Sequence, residues 1–383
     1  MKRVYFDNAA TTALRPEVAQ LMADTLKHVF GNPSSTHAYG RESKAIVEDS
    51  RKKIAALIGA EPSEIIFTSG GTEADNLALQ ACVRDLGIER VISSRIEHHA
   101  VLHTLEEMRD QFSLRIAYLD TDPCGRIDYE QLEELLANDT APTLVSLMHV
   151  NNEIGNVLDI ERVARICAEH KAYFHSDMVQ SVGHFNVDFK TTAVHFAAAA
   201  AHKFHGPKGV GFTFVRKNSG IKPLIFGGSQ ERGLRAGTEA VYAIAGMAKA
   251  LEMAYENLEQ ERAYVLSIKE YFKEELKKAI PGVRFNGACD RNDESTYTLL
   301  NACLPFSPEK SMMLLFSLDL KGIACSQGSA CQSGSATGSH VLNELLSEED
   351  RQKPSVRFSF SKYNNREEVD YVIGVLKEFA RNP

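Results

Sequence analysis

EIIFTSGGTEADNLALQACVRDLGIERVISS, Glu64 to Ser94, decides the fold. It opens on a β-type apolar run, turns through Ser69-Gly70-Gly71, reads as helix from Thr72 to Arg84, and returns to an apolar run at Arg90 to Ser94. The same alternation continues downstream: a helical pattern from His98 to Arg109, LRIAYLD, a helix from Asp128 to Leu136, TLVSLMHV, a helix from Ile160 to His170, then AYFHSDMVQS, VHFAAAAA and GVGFTFV. Strands that are nearly continuous apolar runs, separated by helices, indicate an α/β protein whose mostly parallel sheet is covered on both faces. In such sheets ligands sit beyond the carboxyl ends of the strands.

Around Ala243 the pattern changes to one long helical stretch that runs to Ile280 and is stopped by Pro281-Gly282, a bridge to a second unit. Beyond it TYTLLNACLP, GIACS and SVRFSF read as strands of a smaller α+β unit, with helices from Ser311 and Arg366. The expected division is a large domain over 15–255 and a small domain built from 1–14 and 256–383.

The 383 residues hold 44% hydrophobic and 25% charged side chains, the composition of an ordinary globular protein with ample material for a core. A net charge of -8 announces no basic face for nucleic acid. No apolar run approaches the length of a membrane span, so a cytoplasmic protein without membrane or nucleic-acid partners is expected. The seven cysteines are scattered and odd in number, which fits buried small hydrophobes better than a disulfide framework.

Several stretches carry chemistry. The Ser-Gly-Gly-Thr turn at 69–72 opens a helix, so free backbone N–H groups and the helix dipole converge there on an anion; the same residues also read as a plain tight turn. The turn lacks the Walker lysine and the GxGxxG spacing. His99 and His103 stand four apart, but Glu97 precedes both and HKFH at 202–205 has no carboxylate, so no metal site is expected; His98, nearest a strand end, is the histidine that faces a ligand. Asp177 ends a strand with Gln180 three residues on, which suits either a protonated heterocyclic nitrogen or a helix cap. Lys203 follows another strand at the same sheet edge, where partial burial lowers an amine's pKa and makes it a nucleophile. Each residue alone has an ordinary structural explanation. Together, a phosphate cradle, an acid for a pyridinium, a histidine over a ring and an amine describe a pyridoxal phosphate site. Cys331 lies in a Gly/Ser-rich stretch, Gln327 to Ser339, suited to a thiol that must move, whereas Cys325 in the apolar run GIAC reads as structural. Arg357, on a strand of the small unit, suits bidentate binding of a carboxylate.

DNAATT, GNPSSTH, FTSGGTEADN, EHHAV, MHVNNEIG, SDMVQSVG, AHKFHGPKGVG, QERGLRAGTE, SQGSACQS and VRFSFSKYN follow one another along nearly the whole chain. On these motifs the sequence strongly resembles cysteine desulfurases of the NifS/IscS type, class V aminotransferase-like enzymes of pyridoxal phosphate fold type I. The resemblance implies a seven-stranded, mostly parallel sheet in the large domain. It implies that Lys203 binds the cofactor covalently, Asp177 pairs with the pyridine nitrogen, Gln180 bonds the ring hydroxyl, and His98 stacks on the ring and assists proton transfer. Gly71, Thr72 and His202 would contact the phosphate, and Thr238 the phosphate of a neighbouring subunit, hence a homodimer. Asn152, beside the cofactor, and Arg357 would hold the carboxylate of L-cysteine. Cys331 would take the sulfur as a persulfide for an acceptor or iron-sulfur scaffold protein. A selenocysteine lyase and a non-catalytic sulfur-transfer protein of the same fold are the alternatives. Two positions depart from the pattern: Ala200 stands where a phosphate-binding serine is usual, and Ser229 where a glycine is usual.

Overall fold

The structure, a computed structural model, describes residues 2–328 and 338–381. After a short strand β1 (Val4–Tyr5), the large sheet is built from β2 (Ile65–Thr68), β3 (Arg90–Ser94), β4 (Arg115–Leu119), β5 (Thr143–Ser146), β6 (Tyr173–Asp177), β7 (Phe196–Ala200) and β8 (Gly211–Val215). Their spatial order is β2-β8-β7-β6-β5-β3-β4. Only β8 runs against its neighbours β2 and β7; the other pairings are parallel. The chain leaves β3 outward to β4 and then crosses to β5, β6 and β7 on the other side, a reversal of strand order that opens a crevice at the carboxyl ends.

The sequence explains these elements locally. β2, β3, β5, β7 and β8 are buried at every residue, which is why they read as apolar runs without alternation. β7 is Phe196 followed by four alanines, and the helix Gly71–Leu86 packs on β7 and β8 where those small side chains leave room. The flanking helices begin at capping residues: Asp128 accepts from the N–H groups of Glu130 and Gln131, and Asp159 from that of Arg162.

The helical stretch from Ala243 to Ile280 is not continuous. The chain forms two helices, Val241–Glu256 and Leu258–Ala279, with a break at Asn257 (φ -112°, ψ 13°). Asn257 Nδ2 donates to the Met253 carbonyl at 2.9 Å, replacing part of the lost backbone ladder. Burial supplies the reason for two segments: the first helix packs into the core of the large sheet, whereas Val265, Ile268, Phe272 and Leu276 of the second pack with the small sheet.

That small sheet has three antiparallel strands in the order β12 (Ser355–Ser359), β10 (Leu299–Cys303), β9 (Arg284–Phe285), while β11 (Ile323–Ala324) pairs in parallel with β1. Its core includes Val4, Phe6 and Ala9, so the N-terminal segment belongs to the same packing unit as the C-terminal helix Arg366–Arg381. No helix among the described residues is long and apolar enough to cross a membrane.

Candidate active site

The carboxyl ends of the large-sheet strands and β12 line an open cavity of about 730 Å³, counted out to solvent. Gly71, Thr72, His98, Asn152, Asp177, Gln180, His202, Lys203 and Arg357 all line it. Of the residues expected at the site, Thr238 does not; it is exposed in the segment before the helix Val241–Glu256. Cys331 lies outside the described residues.

Lys203 closes a short 3-10 turn, Ala201–Lys203, directly after β7. Its Nζ donates to the carbonyl oxygens of Ala9 at 2.6 Å and Ala10 at 3.0 Å. Gln180 Nε2 donates to the same Ala9 oxygen at 2.9 Å. The DNAATT segment is therefore a floor beneath the amine. His202 places Nδ1 3.1 Å from Thr11 Oγ1, and its carbonyl accepts from the N–H and hydroxyl of Thr12.

Asp177 is the last residue of β6 and is 5% exposed. Of the two roles open to it, capping a following helix is not the one it takes: Oδ1 accepts from Val179 N–H at 2.9 Å in a turn. Burial raises its pKa to about 6, partly opposed by the Val179 hydrogen bond and the Lys203 charge. His98 caps the helix His99–Phe112, its Nδ1 accepting from Ala100 N–H at 3.1 Å. Burial, then the charge of Lys203, lowers its pKa to about 4. The neutral ring therefore carries its proton on Nε2, because the Nδ1 lone pair is engaged.

The helix Gly71–Leu86 points its N-terminus at the cavity. A Cβ at position 71 would lie 2.6 Å from Val179 Cγ2 and 3.7 Å from the Ala200 Cβ, so the absence of a side chain keeps this cradle open. At the opposite wall the Arg357 guanidinium, 1% exposed, donates to the Asn152 carbonyl at 2.8 Å and to Asp7 Oδ1 at 3.0 Å. Arg357 N–H also donates to Ser326 O at 2.7 Å, which fixes the chain just before the Gly/Ser-rich stretch. The ends of that stretch lie together: a Cβ on Gly328 would come within 2.8 Å of Ser339 Cβ, and Ser339 donates to the buried Glu153.

A scan of family models matches the aminotransferase class-V family over residues 4–372. The chain belongs to the class-V aminotransferase family. Within that family it is 42% identical to the cysteine desulfurase IscS of Dictyoglomus turgidum, covering 98% of this chain and 94% of the relative. It is 43% identical to the putative cysteine desulfurase IscS 1 of Bacillus subtilis, covering 96% of each. Among solved structures, a NifS-like protein superposes with a TM-score of 0.90 at 34% identity over 99% of both chains. The expected seven-stranded, fold type I architecture is thus the one observed.

This class-V chain also uses site residues that the sequence reading passed over. Asp75 lines the cavity, and its carboxyl is held well above the usual range by burial and by Asp177 and Glu97. It lies 3.3 Å from His175 Nε2, whose own pKa burial lowers to about 3. The available signal was its spacing: Asp75 stands four residues after Gly71 on one helix, hence on the same face. Ala9 and Ala10 act through carbonyl oxygens, which side-chain reading does not find, and Met148 closes one wall.

Proposed function

We propose that the chain is a pyridoxal phosphate-dependent cysteine desulfurase that removes sulfur from L-cysteine, giving L-alanine and a persulfide on Cys331. The observation that carries this reading is the meeting of Lys203, Asp177, His98 and Arg357 around one cavity, although they come from four separate stretches of sequence. The cavity's chemistry suits the cofactor. It combines an amine, a buried carboxyl that gains from a cationic ring nitrogen, and a helix N-terminus kept open by Gly71 for a phosphate.

In this reading Lys203 Nζ binds the cofactor covalently, Asp177 holds its ring nitrogen, Gln180 its ring hydroxyl, and Gly71, Thr72 and His202 its phosphate. When bound, the cofactor supplies an electron sink that labilises bonds at the substrate's carbons. Arg357 and Asn152 orient the substrate carboxylate. Lys203 Nζ and His98 Nε2 hold and move protons. The Cys331 thiolate forms an S–S bond as the substrate C–S bond breaks; the electron pair stays with carbon, which takes up a proton to give alanine.

The other cysteines support this choice. Burial pushes the thiols of Cys167 and Cys325 up to about 12 and that of Cys289 to about 11, which disfavours the thiolate, and none of the six described cysteines lines the cavity. Thr238 is assigned to the phosphate of a second copy, and Phe226 and Phe30, 79% and 74% exposed, give a homodimer apolar surface to cover. A sulfur acceptor of the iron-sulfur scaffold type is the proposed partner, and 15–255 against 1–14 plus 256–383 the proposed division into domains. The test is to add pyridoxal phosphate, reduce with borohydride and map the peptides. Label on Lys203 is the expected result, and label elsewhere overturns the assignment.

A further inference from the structure

We infer that His184 and Tyr297 are positioning residues for Lys203, a two-bond relay through which the small sheet holds the peptide that carries the amine. His184 Nε2 lies 2.9 Å from the carbonyl oxygen of Lys203, and His184 Nδ1 lies 2.9 Å from the hydroxyl of Tyr297. These two distances fix the protons. A carbonyl oxygen only accepts, so Nε2 carries the hydrogen; a neutral ring then offers Nδ1 as acceptor, and Tyr297 O–H donates to it. A charged imidazolium has hydrogens on both nitrogens and cannot accept from the tyrosine. Desolvation lowers the His184 pKa and keeps the ring neutral.

The lysine turn needs outside support. His205, two residues after Lys203, is buried with φ +65°, a left-handed conformation that a residue with a Cβ adopts at a cost. Three groups hold it. Thr12 takes the His205 N–H on its hydroxyl at 2.8 Å and donates to the His202 carbonyl, the Ala13 carbonyl lies 2.7 Å from His205 Nδ1, and His184 donates to the Lys203 carbonyl. The backbone fit is tight, since a Cβ on Gly183 would lie 2.7 Å from Phe204 Cβ. Tyr297 is 6% exposed and stands two residues before β10, the strand paired with the Arg357 strand. One end of the relay is therefore tied to the substrate-carboxylate wall and the other to the amine. Neither side chain touches the reacting atoms, so both act through Lys203.

The inference rests on Lys203 being the reactive amine, and its test separates the two ideas. In cofactor-free wild-type protein at neutral pH, nitrogen NMR is expected to show His184 as the neutral Nε2–H tautomer, with the tautomer mixture shifting in Tyr297→Phe. In reconstituted protein, His184→Leu is expected to lower kcat by about tenfold, the scale of one lost hydrogen bond, with the KM for L-cysteine unchanged because Arg357 is untouched. His184→Gln, which returns an amide N–H, is expected to recover most of kcat. A wild-type ring that is charged or protonated on Nδ1, an unaltered kcat in His184→Leu, or no recovery in His184→Gln each overturns the relay. A wild-type protein that forms no alanine refutes the proposed function instead, and leaves the tautomer result standing on its own.

Discussion

Gln180 and Lys203 donate to one carbonyl oxygen, that of Ala9, from 2.9 and 2.6 Å. The amine is thus aimed by backbone acceptors of the DNAATT segment while Gln180 sets the height of that segment. Lys203→Ala removes the amine and its proton transfers but leaves the Gln180 bond in place. The expected outcome is a folded protein with no multiple turnover of L-cysteine, checked by alanine release and by thermal melting. Retained turnover contradicts the assignment of Lys203.

Arg357 joins the small sheet to the cavity and is balanced by Asp7, which also accepts from Ser326 Oγ at 2.8 Å. Arg357→Ala is expected to lower kcat/KM by about 2 to 5 kcal/mol, the scale for breaking a buried, hydrogen-bonded charge pair, mainly through KM. Steady-state kinetics checks this. Unchanged constants remove Arg357 from the substrate site.

Ala200 is 1% exposed and faces the Gly71 cradle. Ala200→Ser adds a hydroxyl where a phosphate oxygen is expected. A hydrogen bond to a charged group contributes roughly 1.5 to 3 kcal/mol, so cofactor retention is expected to tighten by about ten- to a hundredfold, less whatever a displaced water contributed. Dialysis followed by absorbance measures it. Equal or faster cofactor loss shows that the site is already satisfied.

Much of this site was legible because strand ends are. Asp177, Lys203 and His98 each stand where an apolar run stops, and one sheet brings all such ends to one edge. The helix break at Asn257 was not legible, because helix formers continue on both sides and only the change of packing partner, from one core to the other, requires two segments. The reversed direction of β8 was equally hidden: Gly211–Val215 is buried at every position and its composition is the same for either direction. Asp75 read as one more polar residue on a helix until its burial placed it behind Asp177.

Glu97 is 1% exposed; burial, partly opposed by the Met148 N–H bond, raises its pKa to about 8. Between about 4.5 and about 8 the folded state holds this proton and the unfolded state does not, so the residue's contribution to stability falls as pH rises through that window. Glu97→Gln keeps the acceptor for Met148 and removes the titration. The variant is expected to melt higher than wild type at pH 8, by about one degree for each kcal/mol in a chain of this length, with the difference vanishing near pH 5. A pH-independent difference contradicts the buried-carboxyl account.

The most direct test of the central claim is a single turnover of the reconstituted protein with L-cysteine, run with L-selenocysteine in parallel, in which alanine is quantified and the protein is digested for mass spectrometry. The account predicts one alanine per active site and one added sulfur on the peptide that bears both Cys325 and Cys331, localised by fragmentation to Cys331 and not to Cys325, and neither product in Cys331→Ser with L-cysteine. Alanine formed without a persulfide on Cys331, or sulfur found on Cys325, contradicts it.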